Sequence, residues 1–320
     1  MQTYIKKIEL FLKDRAGWQI SFLIFLLVIM CMISIAVGRF NISPFEIIRI
    51  LASKFLPIEK TWDPTLETVI FNVRLPRIIA AILVGASLST AGAAYQGMFK
   101  NPLVSPDILG ASAGAGFGAA LAIFCSLNVF AIQALSFCMG ILAVSFTYMV
   151  SCKVRHDPLL ALVLSGILTS SLFAAATSLL KYVADPYDKL PAITFWLMGS
   201  LASMTVHDIK IAVIPIFLGS IVLYLVHWKI NVLALGEEEA RALGLNTNRL
   251  KILVIFCATL ITAASVSISG TIGWVGLLVP HIARMLVGPN YKILLPTSFL
   301  IGSIYLLLVD DIARNIAAIE

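Results

Sequence analysis

The strongest concentration of charge in this sequence is a run of three glutamates and an arginine within residues 237–241. Only 12% of the 320 residues are charged, and long apolar segments flank this run on both sides. Three carboxylates in a first turn interact favourably with the positive end of a helix dipole. Gly236 can begin such a helix and Gly244 can end it, because glycine tolerates the left-handed conformation that follows a last helical residue. The pattern predicts a short helix on a membrane face, which either meets a soluble partner or is only solvated.

Residues that could perform catalysis or hold a metal lack the partners that they would need. The phosphate-binding pattern Gly-x-x-x-x-Gly-Lys-Ser/Thr does not occur, since the sequence has no Gly-Lys pair. His281 follows Pro280 without a second ligand spaced for a metal, so a hydrogen-bonded packing histidine is favoured. The five cysteines include no Cys-x-x-Cys pair and are interpreted as small packing residues. The sequence predicts no catalytic residue, no metal site and no cofactor bound by this chain.

The composition is that of a polytopic helical membrane protein. Hydrophobic residues make up 60% of the chain and mean hydropathy is +0.98, whereas soluble domains lie nearer about 45–50% apolar. At about 20 residues per span, residues 1–320 accommodate roughly nine or ten transmembrane helices in one domain, with no room for a soluble catalytic domain. The net charge of +6 comes without a basic patch interleaved with aromatic residues, which argues against nucleic-acid binding.

Apolar segments predict nine spans that cross the membrane in alternating directions. Their approximate bounds are 18–37, 77–98, 108–125, 129–150, 159–180, 209–228, 250–269, 272–287 and 293–309. Basic residues before the first span predict a cytoplasmic N-terminus, and no cleavable signal peptide is expected. Residues 38–76 are then external, and residues 229–249 are a cytoplasmic segment. With this topology the net charge is +6 inside and 0 outside. The excess of positive charge inside is modest because residues 38–77 hold six cations, so either the orientation is wrong or these cations have an external task.

Small residues recur at four-residue spacing in two of these spans. One strip consists of Gly110, Gly114 and Gly118, and a second consists of Gly85, Ser89 and Ala93. In lipid such strips let helix backbones approach closely, so helix packing is favoured over contact with a transported molecule.

A weak internal repeat relates two distant parts of the chain. A shift of 178 residues aligns residues 80–110 with 258–288 and gives seven identities in 31 positions, among them Ser87 with Ser265. A few identities arise by chance in so biased a composition. The two copies would run through the membrane in opposite directions, which is typical of transporters.

The middle of each predicted span is almost free of charge. A proton- or sodium-coupled carrier usually keeps an ionisable group there, so energy is expected to come from a separate ATPase subunit. Two other hypotheses remain open, namely a secondary transporter that works without partners and a membrane scaffold.

Three segments of the sequence, taken in this order, are specific to one family. They are NVRLPRIIAAILVGASLSTAGAAYQGMFKNPLVSPDILG, LALGEEEARALGLN and SGTIGWVGLLVPHIAR. They resemble the permease subunits of iron(III)-siderophore and vitamin B12 ABC importers, the FecCD-type family of type II importers. The resemblance implies an all-α bundle of nine or ten transmembrane helices with a short cytoplasmic coupling helix, in the bacterial cytoplasmic membrane. It favours iron-siderophore as substrate and leaves haem, cobalamin and molybdate open.

The same resemblance implies partners for the chain. A second permease subunit would complete a homo- or heterodimer, which would sit on two cytoplasmic ATPase subunits. ATP and Mg would bind to those subunits, and an extracytoplasmic binding protein would deliver the substrate. The family has a tenth span, which is missing after residue 320, so truncation is expected.

The resemblance also implies roles for individual residues. ATPase coupling would fall to Gly236, Glu237, Glu238, Ala240, Arg241, Leu243 and Gly244. Docking of the binding protein would fall to Arg74, Arg77 and Arg314, which gives external cations their task. Polar residues of the pathway would be Ser165, Thr169, Ser170, Ser171 and Thr177, although about half of them are expected to bond only to their own helix. A cytoplasmic gate would lie at Asp157, Pro158, Leu159 and Leu160, where the polar gate residues of the vitamin B12 permease are not matched.

Overall fold

The computed structural model describes residues 2–38, 42–54, 56, 59–60, 62–154 and 158–316, with the backbone alone for residues 2–16. In chain order the helices are α1 (Gln2–Ala36), α2 (Pro44–Ala52), α3 (Pro64–Thr68), α4 (Leu75–Met98), α5 (Ala111–Phe124), α6 (Val129–Ser151), α7 (Pro158–Val183), α8 (Lys189–Met198), α9 (Val206–Leu225), α10 (His227–Leu235), α11 (Glu237–Ala242), α12 (Thr247–Ser269), α13 (Val275–Val287) and α14 (Tyr291–Ile316). A π-helical turn (Val69–Arg74) joins α3 to α4, and a 3-10 turn (Pro106–Leu109) precedes α5. These described ranges contain no strand, which confirms the all-α fold class.

Each of the nine predicted apolar segments coincides with one long or medium helix. Within the described residues, seven segments are long and apolar enough to cross a membrane, and α5 and α13 are shorter apolar helices. A helix of 23 residues such as α12 rises about 35 Å, which exceeds the ~30 Å hydrocarbon core of a bilayer. Seven of the nine predicted spans are therefore helices of membrane-spanning length, whereas α5 and α13 are apolar helices that are shorter than a full span.

Two helices extend well beyond their predicted bounds. Helix α14 continues to Ile316, although its apolar pattern ends at residue 309. It continues because Asp310, Asp311 and Arg314 are paired inside the structure, as described below. Helix α1 reaches back to Gln2, beyond the apolar stretch that begins at Gly17.

Helices α4 and α12 form the centre of the bundle. Most residues of α4 from Ala80 to Met98 are buried, as is almost all of α12 from Val254 onward. Where the two helices cross, the hydroxyl groups of Ser87 and Ser265 hydrogen-bond to each other. These two serines occupy matched positions of the weak repeat, and a contact between matched positions is expected where a two-fold axis relates the copies.

Small residues allow the closest helix crossings. A Cβ on Gly85 would overlap the backbone of Gly302 in α14, and a Cβ on Gly92 would overlap the backbone of Gly276 in α13. On α5, Gly114 is packed in the same way against the backbone of α6. The interpretation of the two strips as packing surfaces is therefore confirmed.

The bundle has two ends, which we name by the helices found there. The α11 end contains α10, α11, the turn between α4 and α5, and the start of α14. The opposite end contains α2, α3, α8 and the last turns of α1 and α14. Contacts across the chain, such as those of Gly97 with Tyr291 at the first end and of Arg77 with Asp310 at the second, define these groupings.

Candidate functional site

Helix α11 forms where the charge pattern predicted it. Gly236 has an extended backbone, with φ of 169°, and separates α11 from α10. Gly244 adopts the left-handed conformation with φ of +80°, and its N–H donates to the carbonyl oxygen of Arg241 at 2.9 Å. Ala240 is fully buried and fixes the inner face of the helix. The two glycines thus end up just outside the helix and set the directions in which the chain enters and leaves it.

Glu237 braces α11 against α12 rather than facing outward. One carboxylate oxygen accepts a hydrogen bond from Lys251 at 2.5 Å, and the other accepts from Arg241 at 2.7 Å and from Thr247 at 3.2 Å. The bond from Lys251 is the main cause that lowers the pKa of Glu237 below its usual value, while partial burial opposes the shift. Glu237 therefore acts within the chain and orients the rest of the helix.

The outward face of α11 is short, charged on one side and apolar on the other. Glu238, Glu239 and Arg241 are exposed along it. Leu235 and Leu243 flank them and are 73% and 61% exposed. The two leucines leave apolar surface beside the charges, which a bound protein would cover.

At the opposite end, the three arginines expected to dock a partner are buried. Arg74, Arg77 and Arg314 are only 0%, 7% and 4% exposed. Arg77 forms a two-pronged ion pair with Asp310, with nitrogen–oxygen distances of 2.8 and 2.9 Å. Arg74 donates to the carbonyl oxygen of Ile35 at 2.8 Å. All three guanidinium groups are thus buried within this chain, and their docking role stays a prediction.

A second buried cluster joins α1 to α14 beside this pair. Ser34 donates to a carboxylate oxygen of Asp311 at 2.6 Å, and Arg314 forms an ion pair with the same carboxylate. Arg314 also donates to the backbone carbonyl of Ser34 at 2.9 Å. The cations of this end thus hold three helices together, since α4 is joined to α14 by Arg77.

The five candidate pathway residues of α7 fall on different faces of that helix. Ser165 and Thr169 are buried, and the Thr169 hydroxyl donates to the carbonyl oxygen of Ser165 and accepts from Thr147 at 2.8 Å. Ser170 is half-buried beside Gly110. The structure therefore turns these three residues toward the protein's own interior, as expected for part of the set.

Two of the five remain on accessible surface. Ser171 is exposed, and Thr177 is half-buried with its hydroxyl donating to the carbonyl oxygen of Phe173 at 2.8 Å. The exposed face that contains Ser171 continues through Leu164, Leu168 and Ser178. A face of this kind on a spanning helix needs lipid, water or another subunit beside it.

The four candidate gate residues lie at the start of α7. Asp157 is outside the described residues. Pro158 begins the helix and is exposed, Leu159 is half-buried against the core, and Leu160 is exposed. The role of these residues as a gate stays a prediction.

No cluster with metal-binding composition occurs among the described side chains. Nowhere in that part of the chain do three or more His, Cys, Asp or Glu side chains lie close enough together to hold a metal ion. His281 is exposed on α13.

Comparisons with known proteins give the family. The sequence profile of the FecCD transport family matches residues 26–320. The chain belongs to the FecCD transport family. A Haemophilus influenzae protein named molybdate import system permease protein MolB is 43% identical over 295 residues, which cover 92% of the permease and 87% of the relative. A Helicobacter pylori protein named probable iron chelatin transport system permease protein is 41% identical over 252 residues, covering 79% and 76%.

A solved structure supports the same assignment. It is described as an inward-facing conformation of a metal-chelate type ABC transporter, is 41% identical, and has a TM-score of 0.83 over 93% of the permease and 90% of that chain. The protein is therefore a multi-pass membrane permease of an ABC importer for chelated metal, haem, vitamin B12 or molybdate-type substrates. This family membership decides against the secondary transporter and the scaffold.

Several residues that shape these surfaces were not singled out from the sequence. Asp310 and Asp311 neutralise two of the buried arginines, and their position at the end of an apolar helix was the available signal. Lys251, which lies 14 residues after Glu237 in the sequence, binds its carboxylate, and no local sequence pattern predicts this pair. Tyr291, the first residue of α14, contacts three other helices at the α11 end, and its position in a turn gave no indication of a role.

Proposed function

We propose that the permease imports an iron(III)-siderophore-type chelate, powered by an ATPase subunit that docks on the outward face of α11. The observation that carries this proposal is that α11 has one side bonded to the bundle and one side exposed. Glu237 fixes the helix to α12, while Glu238, Arg241 and Leu243 remain exposed. A helix held rigidly on one side and accessible on the other can transmit force from a bound partner.

The near absence of charge on α7 is evidence for a bulky chelate as the ligand. Ser171 and Thr177 are uncharged, and the described residues of this helix contain only one charged side chain, Lys181 near its end. A chelate selected beforehand by a binding protein needs few specific contacts, whereas a bare oxyanion gains from a fixed cation. The iron-chelatin relative supports the same choice. The 43% identity to MolB makes molybdate the second candidate.

The exposed strip of α7 supports assembly with a second permease subunit. Ser171 and Ser178 interrupt its leucines, which suits a water-filled path between two subunits better than lipid. In this arrangement the α11 end lies on the cytoplasmic side of a bacterial inner membrane, and the N-terminus lies on the same side. ATP and Mg are bound by the partner ATPase.

The opposite end would receive the substrate-binding protein. Docking by Arg77 and Arg314 is compatible with their burial only if acidic residues of the partner replace Asp310 and Asp311 as counterions. Docking by Arg74 would replace its bond to the carbonyl oxygen of Ile35. Such an exchange of counterions keeps the guanidinium groups of Arg77 and Arg314 paired before and after docking, so that neither is left as an unfavourable, uncompensated buried charge.

The experiment that tests this function uses proteoliposomes. The permease is reconstituted with its ATPase and binding protein, ATP is supplied at the α11 side, and uptake of radioactive iron(III)-siderophore is compared with uptake of radioactive molybdate. Iron uptake that depends on ATP and survives ionophores supports the proposal. ATP-driven molybdate uptake without iron uptake would replace the substrate, and uptake without any ATPase would refute the mechanism.

A double variant tests the outward face of α11 in the same vesicles. Replacing Glu238 and Leu243 by alanine is expected to leave ATP hydrolysis in place while uptake per ATP falls about tenfold, in the range of energetic couplings between sites. The control is Lys229→Ala, an exposed cation on α10. Normal uptake per ATP in the double variant would count against docking at this face.

A further inference from the structure

Tyr291, the first residue of α14, lies at the point where four helices meet. Its side chain is buried, and its ring occupies the space above Gly97 of α4, where a Cβ would approach the ring and hydroxyl within 2.6 Å. The same space is shared with Ile230 of α10, whose side chain would lie 2.9 Å from that Cβ. The ring is thus packed between the segment that leads into α11 and the end of α4.

Hydrogen bonds fix the turn before α14 to α10. The side-chain oxygen of Asn231 accepts from the backbone N–H of Tyr291 at 2.8 Å. The amide nitrogen of Asn231 donates to the side chain of Asn290 at 3.1 Å. Asn231 therefore uses both ends of its amide on this turn, and only four residues separate it from Gly236.

A second set of hydrogen bonds connects Tyr291 to α13. Arg284 donates to the hydroxyl of Tyr291 at 3.5 Å and to the side-chain oxygen of Gln96 at 3.1 Å. Gln96, which is buried in α4, donates in turn to the carbonyl oxygen of Leu277 in α13 at 3.1 Å. The ends of α4 and α13 are therefore joined to each other and to Tyr291.

We propose that Tyr291 is the positioning residue through which movement of α10 and α11 reaches α4 and α13. This inference rests on the proposed docking of an ATPase at α11. Helices α10 and α11 are linked by Gly236 and are anchored in the same buried apolar cluster by Leu233 and Ala240, so a displacement of α11 is transmitted to α10. The packed ring of Tyr291 and the two bonds of Asn231 then carry that displacement to α4 and, by way of Gln96 and Arg284, to α13.

Three variants separate the contributions of the ring and the hydroxyl. Tyr291→Phe keeps the ring against Gly97 and Ile230, so transport per ATP is expected to stay near that of the unmodified complex. Tyr291→Ala removes the ring and is expected to lower transport per ATP about tenfold while hydrolysis persists. Asn231→Ala, a milder change on α10, is expected to act in the same direction. Lys292→Ala, an exposed neighbour of Tyr291, is the control.

A distance measurement reports the linkage directly. Spin labels are placed on exposed Ala242 of α11 and exposed Met285 of α13, in a background without the five native cysteines. In the unmodified complex of permease and ATPase, the distance between them should stay the same when nucleotide binds, because the two helices move together. In Tyr291→Ala and Asn231→Ala the distance should change or broaden on nucleotide binding.

The outcomes distinguish this inference from the function on which it rests. A nucleotide-independent distance in both variants, together with normal transport per ATP, would overturn the role of Tyr291 alone. A distance that already changes in the unmodified complex would overturn it as well. Failure of the unmodified complex to transport with ATP would overturn the proposed function, and this inference with it.

Discussion

Arg77 and Asp310, which are 233 positions apart in the sequence, form a buried bidentate ion pair at one end of the bundle. Arg77 lies in the first turn of α4 and Asp310 in the last turns of α14, so the pair holds these helices at a fixed register. Two charges inside an apolar bundle are stable only as partners, because each alone would lose its hydration without compensation.

Removal of one partner of this pair should destabilise the permease strongly. Asp310→Ala or Arg77→Ala is expected to cost about 3–5 kcal/mol, since each leaves an uncompensated buried charge. Thermal unfolding in detergent, followed by circular dichroism, measures the loss. The double variant Arg77→Met with Asp310→Leu removes both charges and should recover most of the stability. Equal stability of the single variants and the unmodified protein would show that the pair is not formed.

The crossing of α4 with α13 gives a second prediction, with a matched control. Gly92→Ala places a methyl group into the backbone of Gly276, which the two helices can relieve only by separating. Overpacking of a tight interior typically costs about 1–3 kcal/mol. Gly17→Ala adds the same methyl group at a position with open space around it and should be neutral or slightly stabilising. Thermal unfolding of both variants, compared at equal expression, checks this difference.

The positions of the helices followed from sequence more readily than the contacts between them. An apolar stretch of about 20 residues has almost no alternative to a spanning helix, because unpaired backbone groups are too costly in lipid. The apolar pattern predicts that α14 ends at residue 309, but the helix continues to Ile316. Asp310 and Arg314 resemble the start of an aqueous segment in the sequence, because their buried partners are not apparent there.

In the candidate site too, features with local sequence signals could be predicted, and contacts between distant residues could not. Helix α11 could be predicted because its signals are local, with acids in the first turn and Gly244 after the last. The inward role of Glu237 could not, because it depends on Lys251 one helix further along. The burial of Arg77 likewise depends on Asp310, and only the folded chain brings the two together.

Glu237 should make the stability of the α11 end depend on pH. Its pKa is lowered in the folded protein, chiefly by the bond from Lys251, so its contribution is complete above the usual glutamate pKa of about 4.3. The contribution is then lost as pH falls through the folded pKa. Glu237→Gln should therefore lower stability at neutral pH, and its difference from the unmodified permease should shrink in acid.

Hydrogen exchange of the α11 backbone, measured from neutral pH to about pH 3 and corrected for the intrinsic rate, tests this sign. Glu238→Gln is the control, because that side chain is exposed on the outward face. The role of the Glu237–Lys251 contact would be contradicted if the difference in hydrogen-exchange protection between Glu237→Gln and the unmodified permease grew as pH fell.

The two faces of α7 can be distinguished by thiol chemistry. Ser171 is exposed on the polar strip, whereas Thr169, two residues earlier, is buried and bonded to Thr147. In a background without the five native cysteines, Ser171→Cys should react with a charged, water-soluble maleimide at least about tenfold faster than Thr169→Cys, because reaction needs an accessible thiolate. If the strip faced lipid instead of a water-filled path, the Ser171→Cys thiol would not ionise, and the charged reagent would leave both thiols unmodified. Labelling of the assembled importer in membranes therefore decides whether this face belongs to the path between subunits or to the bilayer.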